Sequence, residues 1–198
     1  GLRLAAGLWD GFMYDMEVQY QFGEYGTRDI NAYAFHLDLN QTFDAPLKPK
    51  WTVEFNLATG DEDSTDNEVN TFVPLYQTTH APYGIMDFFR LQNMEEIASS
   101  LTVTPVKKLQ FTGGVNFFWL ENIHDSWYNS SGTKVRTGTK GNEDSFVGTE
   151  TSFVAKYDLT REVQLEGGYA HFFTGSFVED TGTHDDADWF YSQITGKF

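Results

Sequence analysis

From Phe12 onward apolar side chains occupy every second position: Phe12, Tyr14, Met16, Val18, Tyr20 and Phe22. Asp15, Glu17, Gln19 and Gln21 lie between them. Alternation of this kind puts one face of an extended strand in an apolar medium and the other in water. The pattern returns at Tyr33, Phe35, Leu37 and Leu39, interleaved with His36, Asp38 and Asn40, and again at Trp51, Val53, Phe55 and Leu57. Further on it is carried by Leu101 and Val103, then by Leu109, Phe111, Val115, Phe117 and Trp119. Weaker runs cover about 147–157 and 163–173, a last run reaches Phe198, and a partial strand precedes Leu8. The pattern predicts nine strands, mostly 10–12 residues long, and almost no helix.

The links between these runs differ in length. Short turns are expected at Trp9–Gly11, Asp44–Lys48, Pro105–Lys107 and Asp158–Arg161, and longer links at about 24–29, 60–94, 121–145 and 174–186. Short turns on one side and long loops on the other are the signature of an outer-membrane barrel. A tilted transmembrane strand needs roughly 9–11 residues, which these runs supply. The expected fold is therefore all-β: a single antiparallel up-and-down transmembrane β-barrel domain over residues 1–198. An odd number of strands does not suit a bacterial single-chain barrel, and two open edges in lipid are not tolerated. The chain accordingly reads as the C-terminal half of a larger barrel. Phe198, with Ile194 and Phe190 at alternate positions before it, fits a recognition signal for barrel-assembly machinery.

Composition narrows the class further. The chain has 29 acidic and 13 basic side chains, a formal net charge of −16, which disfavours nucleic acid as a partner. Cysteine is absent, so neither a disulfide framework nor a thiolate metal site can form. No apolar run approaches the roughly 20 residues of a spanning helix. Aromatics make up 17% of residues, rich for a soluble domain. Tyr20, Phe22, Tyr33 and Phe35 gather near one strand end and Trp51 and Tyr157 near the other, as interfacial girdles require. The same aromatics would make the core or binding face of a soluble carbohydrate-binding β protein, the main rival fold.

Several short motifs fall in order along the second part of the chain. They include Phe55–Asp61, Asn70–Tyr76, His80, Tyr83–Asp87, Asn93, Phe118–Leu120, Asp125–Asn129, Val147–Glu150, Gly168–Gly175 and Asp185–Asp188. In these segments the sequence resembles the alginate-export family of outer-membrane porins. The resemblance implies a barrel of about eighteen strands in the bacterial outer membrane. It implies a channel for a polysaccharide or other polar solute, set in outer-membrane lipid, with no enzymatic activity and no cofactor.

In a barrel the polar member of each alternating pair faces the lumen. That places Arg3, Asp15, Glu17, His36, Asp38, Glu54, Glu150, Lys156 and Glu166 on the pore wall. Six acids against two bases suit a neutral or cationic solute better than a polyanion. The long link at 60–94 is expected to fold over or into the pore, with Tyr83–Asn93 as a short helix or an inward plug. Asp61, Asp63 and Asp66, within an acidic cluster that includes Glu62 and Glu68, are candidate calcium ligands at carboxylate spacing, although the Gly and distal Glu of an EF-hand are missing. The five histidines lack metal-binding spacing, and no nucleophile elbow exists. Asp15 and Glu17 on one strand face have the composition of a glycosidase pair, but alternation alone accounts for them. Three functions follow, in order: an outer-membrane channel, a plugged structural or partner-binding barrel, and a barrel hydrolase.

Overall fold

The computed structural model describes residues 1–76, 82–138, 140–141 and 143–197. In chain order the elements are β1 (Leu2–Trp9), β2 (Phe12–Tyr25), β3 (Arg28–Thr42), β4 (Lys50–Ala58), β5 (Glu68–Val69), β6 (Met94–Val106), β7 (Leu109–Trp119), β8 (Ser126–Tyr128), β9 (Lys134–Thr137), β10 (Phe146–Asp158), β11 (Val163–Thr174), α1 (Ser176–Thr181) and β12 (Ala187–Gly196). Among the described residues nine long strands form one antiparallel meander in the order β1-β2-β3-β4-β6-β7-β10-β11-β12. The short β5 adds parallel to the end of β3, pairing Asp29 with Glu68, and β8 and β9 form a separate hairpin.

The register confirms the face assignment. Val18 lies opposite Phe35, Phe35 opposite Leu57, Leu37 opposite Phe55, and Trp51 opposite Leu101, so the apolar sets line up across the sheet on one side. These outer positions are open to the surroundings: Phe22, Phe190 and Ile194 are 77%, 76% and 75% exposed. An apolar face this continuous is stable only against lipid. Tyr20 opposite Tyr33 marks one rim, and Trp9 stacked on Phe12 at 4.0 Å marks the other, beside Trp51 and Tyr157. Among the described residues no helix is long and apolar enough to span a membrane.

Four expectations change. The link at 24–29 is a two-residue hairpin, with Tyr25 opposite Arg28 and Gly26 at φ +68, a left-handed value glycine adopts without cost. The strand that reads clearly only from Leu101 begins at Met94, because Met94 and Ala98, apolar and buried on the inner face either side of Glu96, reverse the usual polar-inside pattern. The link at 174–186 contains α1, whose Phe177 and Val178 are buried. Within Tyr83–Asn93 the backbone forms bends and no helix, and Met86, Phe89 and Leu91 fold inward into the core.

The hydrophobic core lies inside the curve of the sheet. Phe72, Met86, Phe89, Leu91 and Trp127 from the long links pack on Met94, Phe118, Val147 and Phe172 of the inner wall. Phe89 stacks on Phe118 at 3.8 Å. Each fully buried side chain of this size contributes about 1.5–3 kcal/mol. The segment is thus anchored by packing.

Candidate functional site: inner wall and inward-folded segment

Two registers of inner-wall residues run across the sheet. One passes through Arg3, Glu17, His36, Asn56, Glu96 and Phe118. The next passes through Asp15, Asp38, Glu54, Ala98, Asn116, Glu150 and Phe172. Lys156 and Glu166 face each other in a lower register. The pairing register puts Arg3, Asp15, Glu17, His36, Asp38, Glu54, Glu150, Lys156 and Glu166 on one face of the sheet.

Their environments differ. Arg3 is paired with Asp15, and Lys156 Nζ is 3.0 Å from Glu166, so both bases of the expected set are neutralised by wall acids. Tyr191 donates to Glu166 at 2.6 Å. His36 Nδ1 is 2.7 Å from Asn56 Oδ1 and 3.7 Å from Glu54. Asp38 lies opposite both Asp15 and Glu54, and its Oδ1 is buried with no hydrogen-bond partner among the described residues. Like charges directly opposite in a sheet repel. This stripe of three carboxylates carries a negative field that Arg3 offsets at its Asp15 end.

Glu150 corrects the open-wall expectation. It is fully buried, and its carboxylate accepts the Ile85 N–H at 2.6 Å and the Met86 N–H at 3.3 Å. Gly84, at φ +75, passes so close that a Cβ there would overlap the Glu150 carboxylate. A carboxylate inside a barrel is stable when backbone donors satisfy it, and here those donors come from the inward-folded segment. Glu150 therefore holds that segment to the wall instead of facing open solvent.

A second carboxylate was not singled out from sequence. Glu96 is fully buried and accepts amide hydrogens from Asn56 at 2.7 Å and Asn116 at 2.6 Å. Asn56 Nδ2 also donates to Glu54 at 2.8 Å. The only signal for this network was its polar-position period, which the apparent gap before Leu101 hid.

The far ends of the segment are fixed to the neighbouring loops. Asn93, fully buried at φ +46, donates to the carbonyls of Asn122 and Ser126, both at 3.0 Å, and accepts the Asn122 N–H at 2.8 Å. Asp125 accepts from Asp61 N, Thr71 Oγ1, Ser126 N and Tyr128 Oη. Trp127 Nε1 donates to the Phe88 carbonyl at 2.8 Å. Glu121 accepts the Gly60 N–H, and burial raises both its carboxyl and that of Asp61 above the usual range. Arg90 is buried in the same region, with its Nε unpartnered among the described residues.

The candidate calcium ligands Asp61, Asp63 and Asp66 each accept hydrogen bonds from their own loop. Asp61 accepts the Asp63 N–H, Asp63 the N–H and hydroxyl of Thr65, and Asp66 the Glu68 N–H. Each carboxylate closes its own turn, and no three potential ligands converge among the described residues. His80 and Phe198 lie outside the described residues.

A lipid-facing antiparallel meander with a polar inner wall and long links folded inward defines an outer-membrane β-barrel channel. In structure it is similar to the solved NanC porin, with a TM-score of 0.53 and 13% identity, over 99% of this chain and 76% of that one. The alginate export family matches residues 1–192, and the chain belongs to that family. No curated protein sequence matches it. Its place is the bacterial outer membrane.

Proposed function

We propose that the protein is a constricted channel whose acidic wall passes neutral or cationic polar solutes, saccharides included, in preference to polyanions. The carrying observation is the neutralisation of Arg3 by Asp15 and of Lys156 by Glu166, which leaves Glu17, Asp38 and Glu54 as the wall acids of these registers outside the buried Glu96 and Glu150. A confined aqueous path lined by one sign of charge concentrates counter-ions and repels co-ions. Transport of this kind needs no enzymatic step. Lipid contacts follow from the outer aromatic positions. Recognition by assembly machinery through Phe198 is supported by Phe190 and Ile194, which share the outer face at alternate positions.

The test is the reversal potential of the full-length protein in a planar bilayer under a potassium chloride gradient. Cation selectivity is expected, weakening as salt rises toward 1 M, where the screening length falls to about 3 Å. Anion selectivity would overturn the acidic-wall reading. The packing of Phe89 and Met86 into the wall favours a second reading, a plugged barrel serving a structural role. Well-folded protein with no conductance would put that reading first.

A further inference from the structure

Resting on the channel reading above, we propose that the channel conducts asymmetrically: cations driven from the long-link end toward the short-turn end pass more readily than cations driven the other way. Charge is distributed unequally along the strand axis, and a charged path conducts according to which end its counter-ions enter.

The antiparallel meander puts three long links, 59–93, 120–145 and 175–186, at one end of the sheet. Asp61 N donates to Asp125, Asn93 to the Asn122 carbonyl and Arg136 to the Val178 carbonyl, which joins the links into one mouth. In sequence they hold fourteen acids and four bases, a formal charge of −10. Nine of these acids, Glu62, Glu179 and Asp185 among them, are exposed, against the exposed bases Lys134 and Lys140. Arg136 keeps its full charge, since its hydrogen bonds go to neutral groups, and it is counted with the bases.

The short turns meet at the opposite end, where the Thr104 N–H donates to the Leu47 carbonyl and the Asp158 N–H to the Lys108 carbonyl. Here Lys48, Lys50, Lys107, Lys108, Arg161 and Lys197 outnumber Asp10, Asp44, Asp158 and Glu162, a formal charge of +2. Lys107 and Lys108 line a cavity with Gln110, Lys156, Asp158 and Gln164, so their charge borders the aqueous path. Between the two ends lie Glu17, Asp38 and Glu54 of the wall. The acidic mouth admits cations and stops anions. When cations are driven in through it, anions driven from the short-turn end halt before it, both ions accumulate in the path, and conductance rises. The reversed voltage drains the same zone, and conductance falls.

The experiment records full-length protein in a planar bilayer at equal and opposite voltages, in about 0.1 M potassium chloride, where the screening length is about 10 Å. Orientation is read from Ser64→Cys, exposed in the first long link, carrying a biotin label that streptavidin reaches from one chamber only. The current is expected to be about twofold larger with the long-link side positive. The ratio is expected to approach one near 1 M salt, where screening falls to about 3 Å. Lys107→Glu combined with Arg161→Glu, both on exposed turns, reverses the charge of the short-turn end. It is expected to lower the ratio at 0.1 M toward one and to leave the conductance at 1 M unchanged. A symmetric wild-type current, the opposite polarity, a ratio that persists at 1 M, or a ratio unmoved by the double variant would each overturn the proposal. The reversal potential is read separately. A cation-selective channel with symmetric current overturns the direction alone, whereas anion selectivity or a silent protein overturns the channel reading with it.

Discussion

Glu150→Ala is expected to turn a small, steady conductance into a larger and noisier one. The Ile85 and Met86 N–H groups lose the carboxylate acceptor they share. Leaving a buried donor unsatisfied costs about 1–3 kcal/mol, so the docked state of the segment loses about 2–6 kcal/mol relative to the released one. Each 1.4 kcal/mol is a factor of ten in population, so the undocked fraction rises at least tenfold. Glu150→Gln keeps one acceptor oxygen and is expected to fall between wild type and Ala. Single-channel recordings of the three proteins in one lipid check this. Identical open levels and dwell times in wild type and Glu150→Ala would show that the segment is held by its apolar packing alone, through Phe89 and Met86.

The largest stability loss is expected at Glu96. Its carboxylate is the shared acceptor for the Asn56 and Asn116 amides, in a fully buried position on the inner wall. Glu96→Ala strands two buried amides at about 1–3 kcal/mol each and adds a cavity beneath the segment. Glu96→Gln preserves the volume and one acceptor, but its own amide faces one of the two donors, so about half the loss is expected. Urea unfolding in lipid vesicles, with heat-modified gel mobility as a second readout, orders the three proteins wild type, Gln, Ala. An Ala variant as stable as wild type would mean that water enters the site and replaces the carboxylate.

These two glutamates differ in how the chain reveals them. Glu150 stands in a clear alternating run, so its inner face is evident from period alone. Its partner is not, because Ile85 and Met86 are 65 and 64 residues away and donate through backbone atoms that carry no side-chain signature. Glu96 is hidden for a related reason. Its neighbours Met94 and Ala98 are apolar yet face inward, since the segment covers them, and the polar-inside rule fails wherever the lumen is filled. The motifs that resemble the alginate-export family become intelligible in three dimensions. Gly60–Asp61, Asn70–Phe72, Gly84–Asp87, Asn93, Asp125–Asn129 and Val147–Glu150 supply much of the contact set that holds the long links inside the barrel.

The sequence by itself determined the strands, their faces and the lipid-facing aromatic rims. All three follow from a period of two and from side-chain polarity, which act locally and need no knowledge of what lies across the sheet. It also identified which acids and bases share the inner face. Only the tertiary structure decided that Arg3 and Lys156 are neutralised, that Glu150 binds backbone, that the Asp61–Asp66 carboxylates close their own turns, and that the link at 24–29 is a two-residue hairpin. Those outcomes depend on which distant groups meet in a confined interior, where an unpaired polar atom is costly and the nearest available partner wins.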